Sequence, residues 1–523
     1  MRERRSPLLR LAQREPPPQA GIAGEVRLDE LKQEIGAIDA RGNLGAEARD
    51  VTHDSRECRP GGVFVAIRGE NFDGHRYIGQ AVELGVVAVI SELALGAFSS
   101  TAALVPAWIQ VPNARAALAR AGAAIHGHPS RRLKLVGITG TNGKTTTAHL
   151  IDAITRAAEG TSAMFGTINY RIGDQSSTAH HTTPEAADIQ RMLAQAVEAG
   201  CRSAVMEVSS HAIELHRADS LKFEVAVFTN LTRDHLDYHK TMESYFAAKE
   251  RLFTSLDAIP ETAVLNVDDE YGRRLLKSAR SKSIVTYGLT STADVYASGA
   301  YFSAEGLKFE AATPAGAIEV VSRLVGRPHV YNLLAAISAG LALGFDPAEI
   351  ARGIRECPVV PGRFEQVIAN GLPGSSFTVI VDYAHTDDAL KNVLQTAREV
   401  AGDRGRVITV FGCGGDRDRT KRAPMGEIAA TMSDIAIVTS DNPRSEDPNA
   451  IIEDVEVGLK RAGRAYLKQA DRRLAIFEAV SKARAGDVVM IAGKGHEPYQ
   501  IIGDKTIHFD DREVAREALK NLK

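Results

Sequence analysis

The chain has 523 residues and a mass of 56.2 kDa. Single cores stop growing near about 250–300 residues, so one domain is excluded and three or four are expected. Hydrophobic residues at 44% and charged residues at 25% are the proportions of a folded soluble protein, and a net charge of −3 (63 basic against 66 acidic residues) disfavours a bulk nucleic-acid or polybasic membrane binder.

Residues 1–24 hold five arginines and a Pro-Pro-Pro run. Their apolar stretch is too short for a signal peptide, and they read as a disordered extension. From Glu25 the pattern is globular. A helix is predicted over Asp29–Ile35, strands over Val63–Ile67 and Val86–Ile90, and a helix over Ala114–His126 that His128-Pro129 ends. A strand over Leu133–Ile138 runs into GTNGKTTT (140–147), followed by a helix over Ala148–Ala158. Strands follow at Ala204–Val208 and Val225–Asn230, short antiparallel strands within Ser283–Glu319, and an Ala-rich helix over Asn332–Leu343. Beyond the Pro/Gly punctuation at 358–362, apolar strands at Phe377–Val381, Val407–Phe411, Ile435–Thr439 and Val488–Ala492 alternate with helices. That alternation predicts parallel sheets covered on both faces. The expected divisions are 25–112, 113–357 and 358–523. No apolar run approaches the length of about 18 residues that spans a bilayer, so no membrane insertion is expected. The four cysteines, Cys58, Cys201, Cys357 and Cys413, have no zinc spacing and read as reduced thiols in a cytosol.

A strand, Gly137-Ile-Thr-Gly140-Thr-Asn-Gly143-Lys144-Thr145-Thr146, and then a helix is the setting of a phosphate loop. Glycines let backbone N–H groups face the phosphates, Lys144 bridges the outer phosphates, and the Thr145 hydroxyl reaches Mg²⁺. The strict GxxxxGK[ST] spacing fails, because its first glycine would fall on Ile138. Gly140, Thr141, Asn142, Gly143 and Thr146 complete the loop. Glu207 and His235 follow later strands, and the carboxyl ends of parallel strands face the ligand crevice. They are therefore expected near the metal. Taken alone, Lys249 reads as an ordinary solvated helix lysine.

The motifs GITGTNGKTTT (137–147), MEVSSH (206–211), TNLTRDHLDYH (229–239), AAKE (247–250), RPHVYNLLAA (327–336), PGRFE (361–365) and VDYAH (381–385) closely resemble those of the Mur ligases. These are ATP-dependent amide ligases that build the peptidoglycan stem peptide. The resemblance runs from about residue 25 to the C-terminus. It implies an α/β fold of three domains: an N-terminal UDP-binding domain, a central P-loop ATPase-like domain and a C-terminal Rossmann-like domain. THDSR (52–56), GENFDGHRYI (69–78), HTTP (181–184) and DNPR (441–444) resemble the members that add meso-2,6-diaminopimelate to UDP-N-acetylmuramoyl-L-alanyl-D-glutamate through an acyl phosphate. A lysine-adding member and a folylpolyglutamate synthetase-like ligase are the alternatives.

The resemblance implies ATP and Mg²⁺ as cofactors, a cytoplasmic monomer, and no nucleic-acid partner. It gives Mg²⁺ to Thr145, Glu207, His235 and a carbamylated Lys249. Asn332, Arg363, Asp382 and His385 would join the loop at ATP. His53, Ser55, Asn71, His181, Thr182, Thr183, Ser209 and Arg217 would hold the UDP-substrate. Diaminopimelate would meet Arg417, Asp441, Asn442, Pro443, Arg444, Gly493 and Glu497. A buried Arg444 is expected to grip its distal carboxylate, which lysine lacks. The other charges of Gly412–Arg422 read as a solvated loop.

Overall fold

The computed structural model describes residues 24–522, apart from 70–71, 98–103, 256, 304–305 and 369–376. The expected N-terminal extension, but for its last residue, and Asn71 lie outside the described residues.

Three sheets carry the fold. The first has five strands in the order Asp39–Gly42, Ala107–Gln110, Ala88–Ser91, Gly62–Ala66 and Asp50–Thr52, with only its first pair antiparallel. The helix Ala114–Ile125 buries Ala117, Leu118 and Ala121 in a core with Leu31, Val51, Val63 and Ile109. The division expected at residue 112 therefore falls between a strand and a helix that share this core. Ala-rich helix composition gave no clue to the partner, because its apolar face suits either neighbour.

The second sheet has eleven strands. Seven are parallel, and antiparallel strands extend both edges. Its strand β1 (Lys134–Thr139) is almost wholly buried, as a parallel strand covered on both faces must be. The helix that follows, α1 (Lys144–Glu159), begins at Lys144 and not at Ala148. Gly143, at φ +86°, turns the chain into it, and three β-branched threonines hide its start from any propensity argument. Strands β2 (Ser203–Glu207) and β3 (Val225–Phe228) flank β1, with Glu207 beside Ile138 and Phe228 beside Thr139. Their carboxyl ends therefore open at one place, where strand order reverses. Helix α2 (Met242–Thr254) and helix α3 (Arg327–Ala342) close around that point. Helix α3 starts five residues before Asn332, because Pro328 fits a first helical turn.

The third sheet has six strands. Its parallel core includes β4 (Thr378–Asp382), β5 (Ile435–Val438) and β6 (Val488–Ala492), and Glu365–Gln366 is its antiparallel edge. In Gly412–Arg422, Asp416 and Arg419 are solvent-exposed as expected, but the last two charges are not. Arg422 is 1% exposed and pairs with Glu446 at 2.8 Å and Asp454 at 2.9 Å, and Lys421 is buried too. The acidic partners come from residues 24 and 32 positions away, so local charge counting could not see them.

Arg422→Ala would strip Glu446 of its buried counter-charge. The expected cost is about 3 kcal/mol, read as a lower urea midpoint of the C-terminal unit; an unchanged midpoint would refute the pairing.

Candidate active site

At the carboxyl ends of β1, β2 and β3 lies a cavity of about 600 Å³. Thr141 to Thr146, Thr182, Glu207, His235, Asn332, Arg363, Asp382 and His385 line it, so most of the expected nucleotide and metal residues do come together. Thr145 donates its hydroxyl to Glu207 Oε2 at 3.0 Å and accepts Arg363 Nη2 at 3.1 Å. A residue from each side of the chain thus meets on one hydroxyl. Glu207 also takes the backbone N–H of Thr167 at 2.8 Å and its hydroxyl at 3.1 Å. Thr167 was invisible in the sequence, since nothing marks a threonine at a strand–strand turn.

Gly143 lines the cavity against the Asn332 side chain. A Cβ there would collide with Asn332 Oδ1, and that oxygen also accepts the Thr147 hydroxyl at 3.4 Å. Lys144 Nζ donates to the carbonyls of Gly140 and Thr141, both at 3.0 Å. Burial pulls its pKa down, while Glu207 and Asp234 hold it up.

Lys249 is 1% exposed and not a solvated helix lysine. Its Nζ also donates to the Gly140 carbonyl, at 3.0 Å, and stands 4.6 Å from the Tyr245 ring centre. Burial first, and then the Lys144 ammonium, drive its pKa far below the ordinary lysine value. The pattern of α2 accounts for the burial: Phe246, Leu252 and Phe253 set an apolar face, and Lys249 lies on it.

His235 sits at φ +54° with Asp234 3.4 Å away, and burial pushes its pKa down to about 3. Its ring meets His211 edge to face at 4.7 Å between centres, and His239 and Tyr245 continue the cluster. His211 and His239 stood in quoted motifs, but neither had a sequence-level reason to be chosen. Among the described residues, no three His, Cys, Asp or Glu side chains form a closed metal cage. Mg²⁺ typically takes one or two carboxylates plus substrate phosphates, so Thr145 with Glu207 suits it.

The third sheet reaches this cavity through Arg363, Asp382 and His385. Asp382 accepts backbone N–H groups from Phe364 at 2.6 Å and Ala384 at 2.8 Å, which ties the PGRF turn to β4. Arg363 lies over the Tyr383 ring at 4.6 Å, and His385 Nδ1 is 2.9 Å from the Tyr383 carbonyl. Two further links cross between units: Asn142 to Asp388 at 3.0 Å and Arg233 to Asp387 at 3.1 Å.

The remaining expected residues form three other groups. Thr183 accepts Ser209 N–H at 3.0 Å and donates to the Glu207 carbonyl at 2.9 Å. Arg217 donates to the Thr183 carbonyl at 3.1 Å and pairs with Glu185. His181 is held through its backbone by Tyr170. Ser55, in a short turn of helix, donates to Gln80 at 3.0 Å, and His53 lies two residues before it. The structure does not join His53 and Ser55 to the cavity. In the third unit, β5 leads into Asp441, Asn442, Pro443 and Arg444, and β6 into Gly493 and Glu497. A Cβ on Gly493 would stand 2.5 Å from Asp441 Oδ2, so only glycine fits there. Arg417 is exposed. Arg444 is half-buried, not buried, and gives Nη1 to the Gly415 carbonyl at 2.8 Å. An unmatched Arg444 therefore costs less than a fully buried one would.

Burial and the Arg363 charge hold His149 and His329 neutral down to about 4 and His496 down to about 3. The unfolded chain protonates its histidines near 6.5. Below that value it binds protons that the native state refuses, so stability falls as pH drops from about 6.5 towards 4. Thermal midpoints at pH 7.5 and 5.0 should show the fall, and a flat profile would contradict it. Gly143→Ala is expected to abolish nucleotide binding in calorimetry, through the Asn332 collision and the positive φ, with the fold intact by circular dichroism.

Family models described as the Mur ligase family catalytic domain, the Mur ligase middle domain and the Mur ligase glutamate ligase domain match residues 47–126, 138–340 and 362–495. A Geobacter metallireducens UDP-N-acetylmuramoyl-L-alanyl-D-glutamate–2,6-diaminopimelate ligase is 48% identical over 520 residues, covering 95% of this chain and 99% of its own. One from Solibacter usitatus is 49% identical over 475 residues, covering 91% and 94%. A solved structure of a ligase of the same description is 33% identical with a TM-score of 0.66, covering 95% and 99%. The Thermotoga maritima MurF ligase, solved with ADP, shares the fold at 18% identity and a TM-score of 0.59, covering 91% and 97%. Relatives this similar along nearly their whole length leave one conclusion: the chain belongs to the Mur ligase family.

Proposed function

We propose that the chain joins meso-2,6-diaminopimelate to the D-glutamate of UDP-N-acetylmuramoyl-L-alanyl-D-glutamate, with ATP as the energy source, in peptidoglycan precursor synthesis. The Arg363–Thr145–Glu207 contact carries the reading, since it brings the acceptor-side unit onto the phosphate loop. The ligases named for this reaction and nearly half identical to the chain support the choice of substrates.

A carboxylate is a poor electrophile, so the terminal phosphoryl group of ATP is first transferred to it, giving an acyl phosphate and ADP. The acceptor amine, once deprotonated, attacks that carbonyl carbon. The tetrahedral intermediate then expels phosphate and leaves the amide. Lys144 and the loop N–H groups neutralise charge on the phosphates. Arg363, reaching in from the third unit, adds a second cation. Asn332, Asp382 and His385 shape the nucleotide side. Thr182, Thr183, Ser209 and Arg217 present the dipeptide, and Ser55 and His53 hold the uridine end. Closure of the three units keeps water from the acyl phosphate. Thr145, Glu207, His235 and a carbamylated Lys249 would hold Mg²⁺, which supplies charge neutralisation on the transferring phosphoryl group. A lysine driven neutral by burial is the form that captures carbon dioxide, and the carbamate then carries a negative charge.

At the acceptor end, Arg417 takes the carboxylate of the reacting centre and Arg444 the distal one, with Asp441, Asn442 and Glu497 at the distal ammonium. A nucleotide-activated substrate points to the cytoplasm, and a monomer is proposed. Among the described residues, no helix is long and apolar enough to cross a membrane.

ADP release with the UDP-dipeptide and a panel of acceptors tests the reading. Diaminopimelate should be used faster than lysine, and the reverse order would overturn the choice. Arg444→Ala should raise the diaminopimelate KM about a hundredfold, for one lost charged contact of about 3 kcal/mol, and spare the KM for ATP. Equal losses for both would disprove the role of Arg444. Lys249→Ala should abolish turnover, with partial recovery in added formate; full activity without it would eliminate the carbamate.

A further inference from the structure

Behind the acceptor loop lies an ammonium that no step above uses. Lys494 follows β6 and is 0% exposed. Its Nζ donates to Asn442 Oδ1 at 3.1 Å, lies 3.4 Å from Glu497 Oε2, and stands 5.5 Å from the Tyr499 ring centre. Asn442 returns Nδ2–H to the same Glu497 oxygen at 2.9 Å. The three side chains form a closed triangle.

That triangle is tied to the hairpin of Tyr499–Ile502 and Lys505–His508. Asn442 Oδ1 also accepts Ile501 N–H at 3.0 Å, and Gln500 donates to the Asp441 carbonyl at 2.6 Å. Arg444 N–H donates to the Ile501 carbonyl at 3.1 Å, and Gly503 N–H to the Arg444 carbonyl at 2.7 Å. Arg444 itself sits at φ +51°, a conformation that a non-glycine residue keeps only when its surroundings hold it. The orientation of Asn442 is therefore the hinge between Lys494 on one side and the Arg444 backbone on the other.

Charge points the same way. Asp441 and Glu497 carry two negative charges, and Arg444 and Lys494 carry two positive ones. The nearby Arg472 is joined to Asp511 at 2.6 Å and cancels it. Burial and then Asp441 push the Glu497 carboxyl up, and Lys494 and Asn442 oppose that. Without Lys494 the pocket loses one positive charge beside its ammonium subsite.

On the acceptor assignment made above, we propose that Lys494 is a positioning residue: it fixes Asn442 and Glu497, through them Arg444, and sets the pocket to accept a distal group that is zwitterionic, not cationic. Lysine as acceptor brings an extra cation that Lys494 repels. Diaminopimelate brings an ammonium and a carboxylate together.

The full-length Lys494→Met protein, assayed with ATP and the UDP-dipeptide, tests this. The diaminopimelate KM should rise about tenfold or more, the scale of a lost charged hydrogen bond. The kcat at saturating acceptor and the ATP KM should stay within about twofold, because neither depends on the free acceptor pocket. The ratio of kcat/KM for diaminopimelate over lysine should fall about tenfold, since repulsion of lysine goes with the charge. Equal losses for both acceptors, with the ratio unchanged, overturn the proposal, because a merely structural lysine would behave so. Lys494→Gln, which keeps a hydrogen bond without the charge, should lower the ratio as well and replaces the Met variant if that one does not fold. A crystal structure of the free variant should show Asn442 and Arg444 displaced, and both in their original places overturns the proposal. Wild-type enzyme that releases ADP with lysine but not diaminopimelate sinks the acceptor assignment alone, and the variant structure still decides the role of Lys494.

Discussion

Two lysine side chains converge on the carbonyl of Gly140, and the rest of the site follows from that crowding. Two ammonium groups around one buried oxygen repel each other, and burial penalises both. Burial lowers the Lys144 pKa, and Glu207 and Asp234 hold it up. Burial first, and then the like charge of Lys144, drive the Lys249 pKa well below the ordinary lysine value, with Asp234 opposing them. One loop thus gathers two buried amines, and Lys249 is the one pushed further below its ordinary range. Neither shift belongs to a residue type; each is set by what stands within a few ångströms.

The geometry that enforces the crowding is a parallel sheet. Strands β1, β2 and β3 end together, so Gly140, Glu207 and the Thr229–His239 loop cannot avoid one another. Arg363, Asp382 and His385 come from a different sheet. The Arg363 guanidinium reaches Thr145 because Asp382 pins the PGRF turn to β4 and Tyr383 supports the side chain. The cavity is therefore shared between two sheets, and the proposed acceptor residues sit within the third, beside its hairpin.

Much of this was legible in the sequence. The strand, the glycine turn and Lys144-Thr145 announce a phosphate site by local chemistry, and continuous apolar runs announce parallel strands. What stayed hidden depends on distance along the chain. Lys249 looked solvated because its own helix is rich in charge, and its burial is decided by a strand end about a hundred residues earlier. Arg422 looked solvated because Glu446 and Asp454 are too far along the chain to be counted with it. Lys494 sat in plain view between two glycines, yet its partner Asn442 is 52 residues before it. The helix start at Lys144 was missed for the opposite reason: its threonines are weak helix formers, and a glycine with positive φ overrules them.

The contact between Arg363 and Thr145 spans 218 residues of sequence. During synthesis at about 5–20 residues per second, the phosphate loop leaves the ribosome roughly ten to forty seconds before its guanidinium partner does. For that interval the nascent chain holds the glycine-rich loop without the arginine that ties it to the third sheet. Order of synthesis thus places the last cationic piece of the nucleotide site after every residue of the first two sheets, and a chain broken off before residue 363 carries the loop alone.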